Sequence, residues 1–132
     1  MLEPAILIYT KAQVALVSNR VYGVIAPQGA TKPYIVFNVV SQNYSHAMGG
    51  DDGLTETRVQ FSTYGTTYAS VKGVVEQLKA AYRNYIQGNS TIQMGNQQWV
   101  HTTLLANEID LYEEDTGLYH TAVDIIFWHK EE

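Results

Sequence analysis

The segment from Arg58 to Gly88 constrains this chain more than any other. It opens with a strand pattern, Arg58-Val59-Gln60-Phe61-Ser62-Thr63-Tyr64, passes a glycine hinge at Gly65 and continues into a long amphipathic helix. Val71, Val74, Val75, Leu78, Tyr82, Tyr85 and Ile86 recur at helical spacing and form one apolar stripe. Lys72, Glu76, Lys79, Arg83 and Gln87 take the opposite face, where Glu76 can meet Lys72 or Lys79 one turn away. Thr66 or Thr67 offers an N-cap, and Gly88 suits the left-handed position that ends a helix. A stripe of this length needs a surface to cover. The preceding strand, apolar on one side and polar on the other, offers it.

The flanking segments extend the same plan. Leu2 to Val17 reads as a helix with Leu2, Ile6, Tyr9 and Leu16 on or near one face and a break near Thr10-Lys11; Pro4 is tolerated in the first turn. Val21 to Ile25 reads as a short extended piece, and Pro27 to Lys32 as a loop closed by Pro33. From Tyr34 to Tyr44, Ile35, Phe37 and Val39 alternate with Tyr34, Val36, Asn38, Val40 and Gln42. From Thr55 to Tyr64, Thr57, Val59, Phe61 and Thr63 alternate with Glu56, Arg58, Gln60, Ser62 and Tyr64. The glycine- and aspartate-rich Ser45 to Gly53 joins these runs into a long antiparallel β-hairpin with a mobile tip. A second hairpin follows, Thr91 to Met94 with Trp99 to Ala106, turning at Gly95-Asn96. Asn107 to Gly117 reads as an acidic solvated connection, and Leu118 to Trp128 as the last strand. The expected architecture is a single α+β domain over residues 1–132: a mainly antiparallel sheet of four or five strands with two helices packed on one face.

Composition narrows the function classes. The chain has no cysteine, which excludes disulfide frameworks, thiolate catalysis and cysteine-ligated zinc. A net charge of −5 with only eight scattered Lys and Arg residues argues against a grip on nucleic-acid phosphates, because that affinity comes from clustered cations. No apolar run approaches the ~20 residues of a membrane span, and the N-terminus lacks a signal-peptide pattern, so a soluble intracellular or particle-bound protein without membrane association is expected. Ten tyrosines and a charged fraction of only 16% suit a surface that meets other proteins. Tyrosine and threonine are also good strand formers, and composition does not separate the two readings.

Motifs for chemistry are sparse. His46, His101, His120 and His129 share no metal-ligand spacing. Gly49 to Gly53 contains no lysine to hold a phosphate, and Asp51 and Asp52 would repel one; the alternating pattern of a calcium loop is also missing. A ligand-binding or enzymatic reading can point only to His101, His120 and Asp124, dispersed over mainly apolar strands. The residues by themselves therefore indicate no catalytic, cofactor or metal site.

Three runs carry a family resemblance: Val14-Ala15-Leu16-Val17-Ser18-Asn19-Arg20-Val21-Tyr22, then Ile25-Ala26-Pro27-Gln28-Gly29-Ala30, then Lys32-Pro33-Tyr34-Ile35-Val36-Phe37. A strand of the type Arg58-Val59-Gln60-Phe61 leading into a helix over Ala69 to Tyr85, and a final strand ending Ile126-Phe127-Trp128, complete the order. In that order and spacing, over nearly the whole chain, the sequence resembles the tail-completion (tail-terminator, tail-to-head joining) proteins of long-tailed phages. The glycine and aspartate loop at Gly49 to Gly53 has no fixed length in that family.

The resemblance implies a small α+β subunit assembling into a ring of itself, usually six copies, that caps the head-proximal end of the tail tube. Its partners would be the tail tube protein and the head–tail connector or stopper. DNA would pass through the lumen without specific binding. The location implied is the tail-neck region of the virion, with the host cytoplasm as the site of assembly. No cofactor and no catalytic residue come with the family. Within this picture Tyr44, Arg58, Gln60, Ser62 and Tyr64 are expected at the subunit interface. His46, Met48, Asp51 and Asp52 are expected at a hairpin tip touching a neighbour or the tube, and Glu113, Glu114 and Asp115 on an acidic lumen or rim. Another neck component, a head-completion or connector protein, would use the same kind of subunit.

Overall fold

A computed structural model of the chain describes residues 2–17, 20–23, 29, 31–47, 50–87, 92–93, 99–115 and 117–130. Helix α1 (Leu2–Gln13) and a 3₁₀ turn (Ala15–Val17) lead into β1 (Val21–Gly23), β2 (Tyr34–Ala47) and β3 (Gly50–Gly65). Helix α2 (Tyr68–Gln87) follows, and then β4 (Ile92–Gln93), β5 (Trp99–Glu113) and β6 (Leu118–Lys130). The described strands form one sheet in the order β1-β2-β3-β6-β5-β4. Four long strands make its body, two short ones flank it, and every neighbouring pair is antiparallel except β1 with β2. The class is α+β. No helix among the described residues is long and apolar enough to cross a membrane.

The core lies between the helices and one face of the sheet. Val71, Val74, Val75, Leu78, Ala81 and Tyr82 of α2 are buried against the row of Ile35, Phe37, Val59, Phe61, Val123, Ile125 and Phe127. Phe61, Tyr82 and Phe127 meet at centroid distances of 5.3 to 6.5 Å, each pair adding about 0.5–1.5 kcal/mol beyond its buried area. Thr67 caps α2, its Oγ1 accepting the Ser70 N–H at 3.1 Å. The side chains of Tyr85 and Ile86, and Gly88 itself, lie outside the described residues. Helix α1 lies beside α2: the Tyr9 hydroxyl donates to the Ala81 carbonyl at 2.8 Å, and the Thr10 and Tyr82 hydroxyls share a hydrogen bond at 2.7 Å.

Several boundaries differ from the sequence reading. Helix α1 stops at Gln13, and the tighter 3₁₀ turn rotates Val17 into the core while Leu16 stays 49% exposed. In β2 a bulge lies between Val39 and Ser41, so the residues beyond it change rows: Gln42 lies opposite the buried Thr57, and Tyr44 opposite Thr55 rather than in the row of Arg58. Strand pairing of the hairpin runs on through His46↔Asp51 and Ala47↔Gly50, taking in most of the expected loop, because the backbone ladder is indifferent to side chains when a partner strand is present. Met48 and Gly49 lie outside the described residues, as do Val24 to Gln28 and Met94 to Gln98. The largest correction concerns Asn107 to Gly117. It is exposed but no loop, since β5 continues through it to Glu113 and only a tight turn remains before β6. Gly117 takes φ +69°, and its N–H closes the turn on the Glu113 carbonyl at 2.8 Å.

Candidate assembly surface

The sheet face turned away from the helices carries most of the expected interface residues. Arg58 donates from Nε and Nη2 to one oxygen, Asp124 Oδ2, at 3.2 and 2.8 Å. Register puts Asp124 opposite Gln60, so Arg58 reaches it diagonally, and Asp124 is only 8% exposed. Arg58 is therefore engaged within its own subunit. Ser62 is buried, not exposed as expected, because its small side chain sits in one row between Val36 and Ala122. Tyr64 stacks between Tyr34 at 5.3 Å and His120 at 4.3 Å, and Tyr22 extends this aromatic row to β1 at 6.0 Å from Tyr34.

The acidic turn adjoins that row. Glu113 Oε1 lies 4.0 Å from His120 Nδ1. Burial nevertheless pushes the His120 imidazole below its ordinary pKa of 6.5, and pushes the Tyr34 and Tyr64 phenols up, with the Glu113 charge adding to both. Glu114 and Asp115 are exposed in the turn. Asp51 lies at the opposite end of the sheet, as far from this turn as the length of β2, about 40 Å at ~3.3 Å per residue. The two acidic clusters are therefore separate features of the molecule.

On the helix side of β5, Glu108 and Asp110 bind α2. Lys72 Nζ lies 2.6 Å from Glu108 and 3.4 Å from Asp110, while Lys79 Nζ bridges Glu108 at 2.9 Å and Glu76 at 3.0 Å. The Tyr68 hydroxyl donates to Asp110 at 3.0 Å, and the Thr121 hydroxyl to its other oxygen at 2.9 Å. Hydrogen bonds from Lys72 and then Lys79 hold the Glu108 carboxyl below its usual pKa; those from Thr121, Tyr68 and Lys72 do so for Asp110. A cleft of about 260 Å³ opens beside this clamp at the β5 bulge between Leu105 and Asn107, and its charged lining groups, Lys79 and Glu108, are bonded to each other.

The opposite side of β5 is apolar and wet. Leu104, Ile109 and Leu111 are each about half exposed, as is Val40 at the β2 bulge. The sequence reading missed this strip, although the alternation Glu108-Ile109-Asp110-Leu111-Tyr112 carried the signal of a two-faced strand. Of the three residues to which the enzymatic alternative points, His120 and Asp124 are described with their side chains. His120 and Asp124 are four residues apart on one strand, about 13 Å by strand rise, and each has another neighbour. The His101 side chain lies outside the described residues. Among the described residues no three acidic or histidine side chains are grouped to hold a metal ion.

The described residues of this sheet face thus present stacked aromatic rings and a half-exposed apolar strip. A chain of the solved structure "Virion of native gene transfer agent (GTA) particle" matches with a TM-score of 0.62, covering 90% of this chain and 84% of that one. At 11% identity the match shows a shared fold. No curated protein matches the chain. The profile of the family "Tail completion protein gp17" matches residues 5–130, nearly the whole sequence. The chain belongs to that tail-completion family, and it is a structural virion protein of the phage tail.

Proposed function

We propose that the protein assembles with copies of itself into a ring, six-membered in the form the family resemblance implies, that caps the head-proximal end of the tail tube. The ring ends tube polymerisation and presents the surface to which the head–tail connector or stopper binds, in the tail-neck region. DNA passes through its lumen without specific contacts. The observation that carries this reading is the match to the tail-completion family over residues 5–130. The exposed apolar strip supports it, since a subunit that leaves Leu104, Ile109 and Leu111 half in water has surface to bury against another protein.

Within the ring the β2–β3 hairpin supplies much of the subunit contact, and the residues proposed to lie at it are Tyr44, Arg58, Gln60, Ser62 and Tyr64. Buried Ser62 acts there through backbone spacing, and Arg58 through the Asp124 pair that stiffens β3 against β6. The hairpin end with His46, Met48, Asp51 and Asp52 reaches a neighbour or the tube. Glu113, Glu114 and Asp115 present negative charge to the lumen or its rim, where it repels phosphates. Negative-stain imaging of the purified protein, alone and with tail tubes, tests the reading. Rings and tubes capped at one end are expected; a monomer that leaves tube length and tube ends unchanged refutes it.

A further inference from the structure

Charge is divided across one end of the sheet. Register places Tyr34, Tyr64, His120 and Leu111 in a single row across β2, β3, β6 and β5. The chain enters that row at β2 just after Lys32 and leaves it at β5 for the turn with Glu114 and Asp115, so the cation and the two carboxylates stand at the same end. Arg20 joins Lys32 there, because its carbonyl accepts the Ile35 N–H at 3.0 Å and its Nε donates to the Pro33 carbonyl at 2.9 Å. Three strand steps separate β2 from β5, about 14 Å in all, and β1 adds a fourth step on the side of Arg20. One flank of this end is therefore basic and the other acidic.

Elsewhere, opposite charges meet within the subunit: Arg58 with Asp124, and Lys72 and Lys79 with Glu108. Lys32, Glu114 and Asp115 are exposed, and among the described residues they enter no ion pair. The Arg20 guanidinium donates to the Pro33 and Leu16 carbonyls, neutral acceptors that leave its positive charge in place. Each flank also offers apolar surface. Leu16 is half exposed beside Arg20, and Leu111 and Tyr112 are half exposed just before the acidic turn.

A chain of net charge −5 repels its own copies unless opposite patches face each other. The two flanks supply such patches at one level of the sheet. Rotation about an axis along the strands keeps that level and turns the acidic flank of one copy toward the basic flank of the next. A contact between unlike patches is head-to-tail, the kind that closes into rings.

We propose that Lys32 and Arg20 of one copy meet Glu114 and Asp115 of a second copy, with Leu16 on one side and Leu111 and Tyr112 on the other forming the apolar part of the contact. This rests on the ring reading and extends it by naming the two flanks that join. Glu114 and Asp115 then stand on the rim between subunits. A single exposed ion pair contributes little, but a closed ring repeats the contact at every subunit, so reversing its charges acts on every seam at once.

Two charge-reversed proteins test the contact: Glu114→Lys with Asp115→Lys, and Lys32→Glu. All three positions are exposed, so the circular dichroism spectrum and melting temperature of the subunit are expected to stay unchanged. By light scattering at low salt, each protein alone is expected to shift from rings to monomers, and an equimolar mixture to recover rings of alternating copies. Rings undiminished in both proteins alone overturn the contact, leave the ring reading standing and leave the carboxylates to the channel. Loss of rings in both without recovery in the mixture also overturns it. A parent protein that stays monomeric overturns the contact and the ring reading together. Independently, carbodiimide treatment of the parent ring is expected to couple Lys32 to Glu114 or Asp115 of the next copy, giving a ladder of multimers whose linked peptide is identified by mass spectrometry. Lys32→Arg is expected to keep the ring and lose that peptide. Parent rings that yield no such peptide overturn the contact.

Discussion

At Gly65 an added Cβ would stand 2.8 Å from Val71 Cγ2, closer than such atoms approach. The strand read from sequence as ending in a hinge ends in a close contact: a glycine is required because the first turn of α2 folds back onto it. Gly65→Ala is expected to destabilise the protein by about 1–3 kcal/mol, seen as a lower denaturant midpoint at unchanged slope. Tyr82 makes a complementary case. Its ring is fully buried, burial drives its phenol pKa far up, and its hydroxyl meets Thr10 at 2.7 Å. Tyr82→Phe should cost about 1 kcal/mol in chemical denaturation, the net worth of a buried hydrogen bond, with no change in helix content. The stripe position of Tyr82 was legible in the sequence. Its partner on α1 was not, because seventy-two residues separate them and no local pattern links the two. The same holds for Arg58 and Asp124, both visible as strand residues but paired only by the register of β3 against β6.

Between elements, the clamp from α2 to β5 makes stability depend on pH. Glu108 has a folded pKa below its ordinary 4.5, so its contribution is fully present above that value and is lost as pH falls through the lowered one. Asp110 follows the same sign from its ordinary 3.8. Glu108→Gln is expected to lower stability near neutral pH by about 1 kcal/mol, as partly exposed ion pairs do, and thermal melts of the variant and the parent should converge once the acid range is passed. A constant difference down to pH 2–3 would assign the effect to packing instead. Helix α2 itself was readable from its 3.6-residue period, which is a local property. The reach of β5 was not: Glu108, Asp110, Glu113, Glu114 and Asp115 give the segment the composition of a loop, and it is two lysines from a distant helix that make acidic residues tolerable in a strand.

For the whole molecule, the proposed ring makes a prediction about charge. If Glu113, Glu114 and Asp115 border the channel, replacing all three with lysine should make rings retain duplex DNA at low salt and release it as salt rises, as counterion-driven binding does. Rings of the variant that ignore DNA in a mobility-shift assay place these carboxylates outside the channel. The sequence by itself determined the α+β class, the faces of α2 and β3, and the family, because periodicity and the order of short motifs are written along the chain. Only the tertiary structure decided the strand order, the bulge that shifts Tyr44 out of the Arg58 row, the burial of Ser62 and the Arg58–Asp124 pair. Each of these depends on which strand lies beside which, and strand pairing is a contact between residues far apart in sequence that no local pattern encodes.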